Sequence, residues 1–346
     1  MSDSPALTQY TRFSGCGAKL GPGVLEQALC GLAQPAYPEL LADFSGSEDA
    51  GLFRLAPDLA LVQTVDFFPP IVDDPRLFGR IAAANALSDV YAMGARPATA
   101  LALVCHPLKR LGLDPLKAML GGGLEALVEA GCALLGGHSI EDPEPKLGYA
   151  ITGLVDPARA WRNNTLAGDA ALILTKPLGT GLVNMASRAQ CAAPEALAAA
   201  QASMATLNKT AAEVLARFPV LACTDVTGFG LAGHAAEMVT GAPCGLRLAV
   251  RDLPLLPEVM EYAAMGLVPE GTRRNLDGRL HVVRNSGAVD PVVLDVLFDP
   301  QTSGGLLAAV PLGRAGEVLA ALGAAGVPAV QVGETAGPGG TLEILP

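Results

Sequence analysis

Two side chains that could take part in group transfer stand close together near the start of the chain, in Gly15-Cys16-Gly17-Ala18-Lys19. A thiolate is the reactive form of cysteine, and a nearby ammonium group lowers the pKa of the thiol. The flanking glycines allow the backbone to move and a substrate to approach it closely. The segment predicts a mobile loop that carries a nucleophile, although a cysteine and a lysine can also meet by chance in a disordered N-terminus.

Aspartates recur at the ends of apolar runs or among apolar residues. They are Asp49, Asp66, Asp89 and Asp225. Asp66 and Asp225 each follow a strand-like run, and Asp89 shares a helix face with Asn85. Burying a carboxylate is costly unless it is paired or bound to metal, and a ligand set made only of oxygen atoms suits Mg²⁺ and its bound phosphates. The four together predict a magnesium site, whereas each one alone is more typical of a helix cap or a turn.

The segment Gly228–Gly233 matches the pattern G-x-G-x-x-G, follows a strand-like run and precedes a helical stretch. That context is typical of a dinucleotide-binding site. No clearly alternating βα units surround it, and Asp225 would bring a negative charge close to the pyrophosphate. The segment therefore favours a turn built from glycine over a dinucleotide site. No G-x-x-x-x-G-K-[ST] pattern occurs, which excludes a P-loop.

Two further polar segments adjoin apolar runs. Gly136-Gly137-His138-Ser139 predicts a turn whose backbone amides and serine hydroxyl could hold a phosphate or a sugar. The segment Asp299–Gly305 predicts a polar turn before an apolar strand.

Helical and strand-like patterns alternate irregularly between these motifs. Hydrophobic periodicity predicts helices over Phe78–Met93, Leu116–Ala130 and Pro194–Arg217 and strands over Leu59–Val65, Thr99–Cys105, Cys132–Leu135 and Val220–Thr224. The polar stretch Pro157–Gly168 separates two such regions. We therefore expect an α+β protein with two mixed domains, residues 1–155 and 156–346, without the strict alternation of a dinucleotide-binding fold.

The bulk composition limits the class of protein. A length of 346 residues suits about two domains. With 51% hydrophobic and 16% charged residues, a disordered chain or a coiled coil is excluded. The net charge is −11, and no basic tract occurs, which argues against nucleic acid or an anionic membrane as a partner. An acidic protein that binds an anionic substrate needs metal ions between the two.

Signals for export or for metal binding by cysteine are missing from the sequence. The first residues lack the basic and apolar regions of a signal peptide, and no uninterrupted apolar stretch is long enough to span a membrane. The seven cysteines are scattered without CxxC spacing, which supports neither a zinc site nor a disulfide framework. We expect a cytoplasmic protein with reduced thiols.

In this order along the chain, the motifs resemble those of the selenophosphate synthetases (selenide, water dikinases), a family of the aminoimidazole ribonucleotide synthetase-like superfamily. The resemblance extends from Leu7 to the last strands. Its most specific segments are Gly15–Lys19, Thr64–Phe68, Asn85–Gly94, Gly136–Ile140, Thr224–Gly230 and Asp299–Gly305. Several long motifs in the same order are very unlikely to match by chance.

The resemblance implies a homodimer in which the N-terminal domain forms the dimer and most of the ATP site. It implies an enzyme that converts ATP, selenide and water into selenophosphate, AMP and phosphate, and so supplies activated selenium for selenocysteine and selenouridine. The alternative is another ATP-dependent enzyme of the superfamily, a small-molecule kinase or a cyclo-ligase.

The resemblance also assigns roles to individual residues. Cys16 falls on the family's catalytic cysteine or selenocysteine position, and Lys19 falls on its essential lysine. The magnesium-binding positions fall on Asp49, Asp89 and Asp225. The positions that contact ATP fall on Lys19, Gly46, Ser47, Glu48, Asp66, Asp89, Gly137, His138 and Ser139.

Two positions depart from the family pattern. Many members have a second cysteine where this chain has Ala18, so a mechanism that uses a vicinal thiol pair is excluded here. Glu48 stands where the family often has an aspartate, which keeps the charge but changes its reach. The glycines around Cys16 further predict that residues 1–45 form a lid that becomes ordered only when nucleotide binds.

Overall fold

The computed structural model describes residues 6–12, 15–19, 22–32, 34–44, 46, 48–284 and 288–345, without the side chains of residues 16, 22, 23, 25 and 26. The first half contains strands β1 Leu40–Ala42, β2 Gly51–Ala56, β3 Leu59–Phe68, β4 Arg96–Cys105, β5 Ala133–Ile140 and β6 Lys146–Val155 and helices α1 Pro22–Leu29, α2 Pro75–Ala92, α3 Leu108–Leu111 and α4 Asp114–Ala130. Single turns of 3-10 helix cover Leu7–Tyr10 and Gly15–Ala18.

The first sheet has the strand order β1-β2-β3-β6-β4-β5. Its pairings are antiparallel except for the parallel pair β4–β5. Helices α2 and α4 pack against each other, and α2 covers β3 and β6 on one face. The opposite face carries exposed apolar side chains, among them Val65, Phe67, Leu101 and Leu135.

The second half contains strands β7 Ala170–Leu174, β8 Ala222–Asp225, β9 Cys244–Ala249, β10 Val283–Arg284, β11 Leu306–Pro311, β12 Val330–Pro338 and β13 Leu342–Leu345. Its helices are α5 Thr180–Arg188, α6 Pro194–Ala205, α7 Lys209–Leu215, α8 Gly230–Val239, α9 Val259–Ala264, α10 Glu270–Arg279, α11 Pro291–Leu297 and α12 Ala315–Ala324. The strand order of the second sheet is β10-β13-β9-β12-β7-β11-β8. The mixed α+β architecture confirms the fold class predicted from the sequence.

The dinucleotide interpretation of Gly228–Gly233 is wrong. The strand before it, β8, lies at the edge of the sheet and pairs antiparallel with β11, so the parallel crossover on which such a site depends is missing there. Gly230 has a φ of +73°, and a Cβ atom at that position would lie 2.7 Å from the carbonyl carbon of Phe298. The glycines therefore serve a tight turn between β8 and α8.

Two further predictions of secondary structure, a turn and a single long helix, are wrong. The predicted turn Gly136–Ser139 lies within β5, where His138 pairs with Leu103 of β4. The predicted helix Pro194–Arg217 is divided into α6 and α7. The break leaves the side-chain amide of Asn208 free to donate to Ser88 Oγ and to the carbonyl oxygen of Gly304, each at 2.8 Å.

One hydrophobic core joins the two halves. It includes Phe78 and Leu87 of α2 together with Leu182 of α5 and Val296 of α11, all almost fully buried. Among the residues that the structure describes, no helix has the length and apolar character needed to cross a bilayer.

Candidate active site

Helix α2 presents polar side chains on a buried surface. Asn85, Ser88 and Asp89 are all buried, because the helix packs between the first sheet and elements of the second domain. The helix begins after Asp74, whose side chain accepts a hydrogen bond from the N–H of Leu77 at 2.7 Å. Buried polar groups are costly without partners, so this surface must be satisfied by other residues of the site.

Residues of both domains supply those partners. Asn85 Nδ2 donates to Asp66 Oδ2 at 2.6 Å, and Asn85 Oδ1 accepts from the N–H of Ser303 at 2.8 Å. The hydroxyl of Thr64 on β3 donates to Asp89 Oδ2. The predicted strand ending at Val65 in fact continues to Phe68, so Asp66 lies within β3 and faces α2. These contacts hold Asp66 and Asp89 beside each other.

Asp225 and Asp49 reach the same place from opposite domains. Asp225 is the last residue of the edge strand β8, and only 1% of its surface is exposed. The hydroxyl of Thr224 donates to Asp49 Oδ1 at 2.8 Å. The Oδ2 atoms of Asp49 and Asp225 are buried and have no hydrogen-bond partner among the described residues.

These carboxylates line a cleft of about 340 Å³ between the two domains. Its described charged and imidazole side chains are Lys19, Asp43, Glu48, Asp49, Asp66, Asp89, Asp225, His234, Glu237 and Arg279. The cleft therefore brings together Lys19, Glu48, Asp49, Asp66, Asp89 and Asp225 from the residues that the sequence selected.

Burial and mutual repulsion both raise the pKa values of carboxylates in the cleft. Burial raises the pKa of Asp49, Asp89 and Asp225 above the ordinary carboxyl value of 3.8, and the charge of Asp225 raises the pKa of Asp49 and Asp89 further. His234 and Lys19 lower the pKa of Asp225 but do not reverse the effect of burial. The positively charged side chains of the cleft therefore do not balance its carboxylates, and an added cation would be stabilised there.

A divalent cation fits these residues. The two buried oxygen atoms without partners are hard ligands of the type that Mg²⁺ prefers. Among the described residues, no three histidine, cysteine, aspartate or glutamate side chains form a group that could hold a metal ion by themselves. Mg²⁺ usually keeps several waters and is held by one or two carboxylates plus substrate phosphates, so an open arrangement suits it better than a closed cage.

The segment with Lys19 lies against both domains. Lys19 Nζ is 3.2 Å from Asp66 Oδ1, which brings an ammonium group into the acidic cleft. The N–H of Gly15 donates to the carbonyl oxygen of Pro69, which follows β3, at 3.1 Å. Arg274 of α10 donates to the carbonyl oxygen of Gly17 at 2.8 Å. One short turn therefore spans the domain junction.

Two residues selected by the resemblance lie partly or wholly outside this description. The backbone of Cys16 belongs to the turn Gly15–Ala18, but its side chain is outside the described residues, as is the whole of Ser47. Gly46 is described and lies in the loop between β1 and β2, two residues before Glu48. The roles assigned to these residues and the movement of the lid stay predictions.

Glu48 is committed to protein contacts. Its Oε1 accepts from Arg162 Nε at 2.7 Å and its Oε2 accepts from the N–H of Asn163 at 3.0 Å. Only 1% of the Glu48 side chain is exposed. Arg162 also donates to the carbonyl oxygen of Leu41 at 3.1 Å, and its own carbonyl oxygen accepts from the N–H of Cys223. Glu48 thereby ties the Asp49 loop to the segment between β6 and β7, which lies beside β8.

We expect Glu48→Gln to weaken magnesium binding without removing a magnesium ligand. Glu48 accepts from Arg162 and Asn163 through two different oxygens, whereas glutamine replaces one of these oxygens by a donor, and breaking a buried ion pair costs about 3 kcal/mol of folding stability. Asp49 would then be less well fixed beside Asp225. The measurement is the Mg²⁺ concentration that gives half-maximal activity, together with the free energy of unfolding.

Glu39→Gln is the matched control, because Glu39 is exposed at the start of β1. If Glu48 acts through Arg162, the double variant Glu48→Gln/Arg162→Met loses less than the sum of the two single losses. Strictly additive losses would show that the ion pair does not position Asp49.

The structure does not bring Gly137, His138 and Ser139 to this cleft. They lie on β5, the exposed edge strand, and β6 and β4 separate it from β3. Three strand spacings of about 4.8 Å place β5 roughly 14 Å from β3. Within one chain these residues therefore lie apart from the carboxylates, and their contact with ATP stays a prediction.

Comparison with known proteins identifies the family. A protein named selenide, water dikinase from Pelobacter propionicus is 49% identical over 329 residues, covering 95% of this chain and 94% of the relative. The chain belongs to the selenide, water dikinase family. A second relative of that name, from Myxococcus xanthus, is 48% identical over 330 residues, covering 95% of this chain and 94% of the relative. The family descriptions "AIR synthase related protein, N-terminal domain" and "AIR synthase related protein, C-terminal domain" match residues 47–155 and 167–344.

Solved structures share the fold of the family at much lower identity. The protein tt0281 from Thermus thermophilus is 21% identical with a TM-score of 0.69, covering 95% of this chain and 99% of that one. Thiamine-monophosphate kinase from Stenotrophomonas maltophilia K279a is 18% identical with a TM-score of 0.65, covering 89% and 91%. The hydrogenase maturation protein HypE of E. coli is 20% identical with a TM-score of 0.60, covering 93% and 92%. These likenesses concern the fold alone.

Several cleft residues were not selected from the sequence. The N–H of Thr227 donates to His234 Nε2 at 3.1 Å, and Glu237 Oε2 lies 3.3 Å from His234 Nδ1. Arg279 Nη2 lies 3.5 Å from Glu237 Oε1. The two residues on α8 are three positions apart and so share one helix face, a signal that the sequence contains but that single histidines do not make specific.

A second group lies behind the carboxylates. Lys176 Nζ donates to the carbonyl oxygens of Thr206 at 2.6 Å and Ser303 at 2.8 Å. Burial lowers the pKa of Lys176 to about 7, while the charge of Asp225 raises it. These contacts fix the loop that also meets Asn85. Nothing in the local sequence around Lys176 distinguishes it from a surface lysine.

Proposed function

We propose that this chain catalyses the synthesis of selenophosphate from ATP, selenide and water, with release of AMP and orthophosphate. The observation that carries the proposal is that Asp49 and Asp225 each have one buried oxygen without a hydrogen-bond partner among the described residues, and that both side chains line the same cleft as Lys19. The membership in the dikinase family supports the selenium chemistry. The alternative, a small-molecule kinase or cyclo-ligase, is less favoured because both relatives described above are named selenide, water dikinase.

The residues that would hold Mg²⁺ are Asp49, Asp89 and Asp225. When bound, the ion would neutralise charge between these carboxylates and the triphosphate and stabilise charge that develops in phosphoryl transfer. Thr224 fixes one oxygen of Asp49 through its hydroxyl. Thr64 fixes one oxygen of Asp89, so that each carboxylate keeps a second oxygen for the cleft.

Lys19 and Cys16 belong to the reacting side of the cleft in this proposal. The ammonium group of Lys19 rests on Asp66 in the structure and would exchange this partner for a phosphate oxygen when ATP enters. Cys16 would hold HSe⁻ beside the phosphates without forming a bond between sulfur and selenium, so that no oxidant is needed and the selenium remains the nucleophile that attacks phosphorus. The glycines on both sides of Cys16 would allow the backbone to move so that Cys16 and Lys19 reach the bound nucleotide.

The proposal includes a homodimer formed through the open face of the first sheet. Val65 and Phe67 on β3 and Leu101 on β4 are each about half exposed on that face. His138 is in register with Leu103, which is in register with Gly148, which in turn pairs with Phe67, so His138 belongs to the same face. A second copy packed face to face would bring β5 of one chain towards the β3 side of the other. Gly137–Ser139 would then complete the ATP site of the partner.

The nucleotide product tests the proposal. Purified protein should release AMP from ATP only when selenide and Mg²⁺ are present, and phosphorus NMR should detect selenophosphate. Cys16→Ala and Asp49→Ala should abolish AMP release, while Asp58→Ala, in the exposed turn between β2 and β3, should not. ADP as the final nucleotide would mean a kinase or cyclo-ligase in place of a dikinase.

A further inference from the structure

A second cavity, of about 280 Å³, lies on the other side of the Gly15–Ala18 turn. Gly17 lines this cavity, whereas Lys19, two residues later, lines the acidic cleft. The segment Gly15–Lys19, which carries Cys16, therefore lines both the cavity and the acidic cleft. The second space has not been given a role by the sequence or by the proposed function.

The charge of this cavity is opposite to that of the cleft. Arg12 and Arg188 belong to its lining, and Glu270 is the one acidic residue among its described lining residues. Glu270 Oε1 lies 3.3 Å from Arg274 Nη1, so a third arginine offsets its charge. In a chain with a net charge of −11, this is a local concentration of positive charge.

The two arginines are held from different parts of the chain. Arg188, at the end of α5, donates from Nη2 to the carbonyl oxygen of Thr11 at 3.4 Å. The backbone N–H of Arg12 donates to Glu144 Oε1 at 2.9 Å. The side chains of Asn184 and Thr302 add polar groups to the wall. The cavity is therefore assembled from the N-terminal segment, α5 and the Asp299–Gly305 loop.

We propose that this cavity admits the selenium substrate as the hydroselenide anion, HSe⁻, to the loop that carries Cys16. The inference rests on the proposed function and names the route of one of its substrates. At neutral pH selenide is a monoanion, and the carboxylates of the cleft would repel it. Positively charged walls attract an anion and raise its local concentration. ATP with its metal and HSe⁻ would thus reach the loop from opposite sides.

The inference predicts a specific change in kinetics. Arg12→Gln and Arg188→Gln should each raise the KM for selenide, by about three- to tenfold, because the wall of the cavity loses a positively charged group. The KM for ATP and the kcat at saturating selenide should stay within about twofold of wild type, because neither residue lines the acidic cleft. Anaerobic assays of AMP release against selenide concentration give both values.

Conservative and matched variants distinguish charge from packing. Arg12→Lys and Arg188→Lys should restore most of the selenide KM, because they keep the charge. Arg314→Gln, at an exposed ion pair with Glu317, is the control for net charge alone. Thermal unfolding of all variants checks that the loss of the Arg188 contact with Thr11 has not unfolded the N-terminal segment.

Ionic strength supplies a readout that a structural role would not change. Screening should raise the selenide KM of wild type as salt increases, and the double variant Arg12→Gln/Arg188→Gln should show a much weaker dependence. Equal selenide KM values in wild type and both glutamine variants would overturn the inference. A rise in the KM for ATP alone would overturn it as well. Wild type without any selenide-dependent AMP release would instead refute the proposed function.

Discussion

Asp225→Asn is expected to reduce selenide-dependent AMP release by at least about 10²–10³-fold. Asp225 is the aspartate that the second domain places beside Asp49, and one of its oxygens is buried without a partner in the part of the chain that the structure describes. An amide has nearly the same shape but no charge for a cation, so the loss would fall on magnesium binding and on phosphoryl transfer. Steady-state assays over a range of Mg²⁺ concentrations measure it.

The same substitution should stabilise the protein when no metal is present. The folded-state pKa of Asp225 is raised by burial, so the carboxyl favours folding below pH 3.8 and that contribution is lost as the pH rises through the folded-state value. Above the folded-state pKa the charged carboxylate therefore opposes folding, and asparagine removes that opposition. Mg²⁺ should raise the melting temperature of wild type, increasingly so at higher pH, and should raise that of the variant much less.

Asp295→Asn is the control for Asp225→Asn. Burial also raises the pKa of Asp295, but this residue lies on α11 and faces Arg273 at 3.7 Å, outside the cleft. Its replacement should leave the response of the melting temperature to Mg²⁺ unchanged. An Asp225→Asn variant that Mg²⁺ stabilises as strongly as wild type would contradict the magnesium role.

Lys19→Met should lower kcat by about 10²–10³-fold, the usual effect of removing one charged group that stabilises a transition state. The Lys19 ammonium is 3.2 Å from Asp66 Oδ1, and methionine keeps most of the length of the unbranched side chain without the charge. Because the residue would act mainly on the phosphoryl group in transfer, the affinity for ATP should fall much less than kcat. Calorimetric titration with a non-hydrolysable ATP analogue measures that affinity.

Lys117→Met tests for a general effect of charge, since Lys117 is largely exposed and pairs with Asp114 on α4. Its activity should equal that of wild type. A Lys19→Met variant whose kcat is unchanged and whose KM for ATP alone rises would show that Lys19 binds the ground state and the transition state equally, which contradicts a specific role in phosphoryl transfer.

Local sequence is enough to predict the cleft residues whose surroundings are close along the chain. Asp89 and Asn85 could be placed on one helix face because helical spacing fixes their relation. Asp66 and Asp225 could be selected because each adjoins an apolar run. The hydrogen bond from Thr224 to Asp49 could not be predicted, because the two residues are 175 positions apart and no local rule relates them.

Other features depend on tertiary contacts that compete with local preference. Glycine, histidine and serine predict a turn at residues 136–139, yet Gly137 belongs to β5. A Cβ atom there would lie 2.0 Å from the carbonyl oxygen of Ala102, so the close approach of β4 requires glycine at that position. Likewise, Glu48 was assigned to ATP by resemblance, while its contact with Arg162, 114 positions away, shows why a longer acid suits this chain.

The division of the carboxylates between two domains has a consequence for the order in which the protein is made. A ribosome completes Asp49, Asp66 and Asp89 well before the strand that ends in Asp225. A nascent or truncated chain that ends between β6 and β7 therefore contains Asp49, Asp66 and Asp89 but not Asp225. Under the proposed function, such a fragment lacks Asp225 and would not consume ATP.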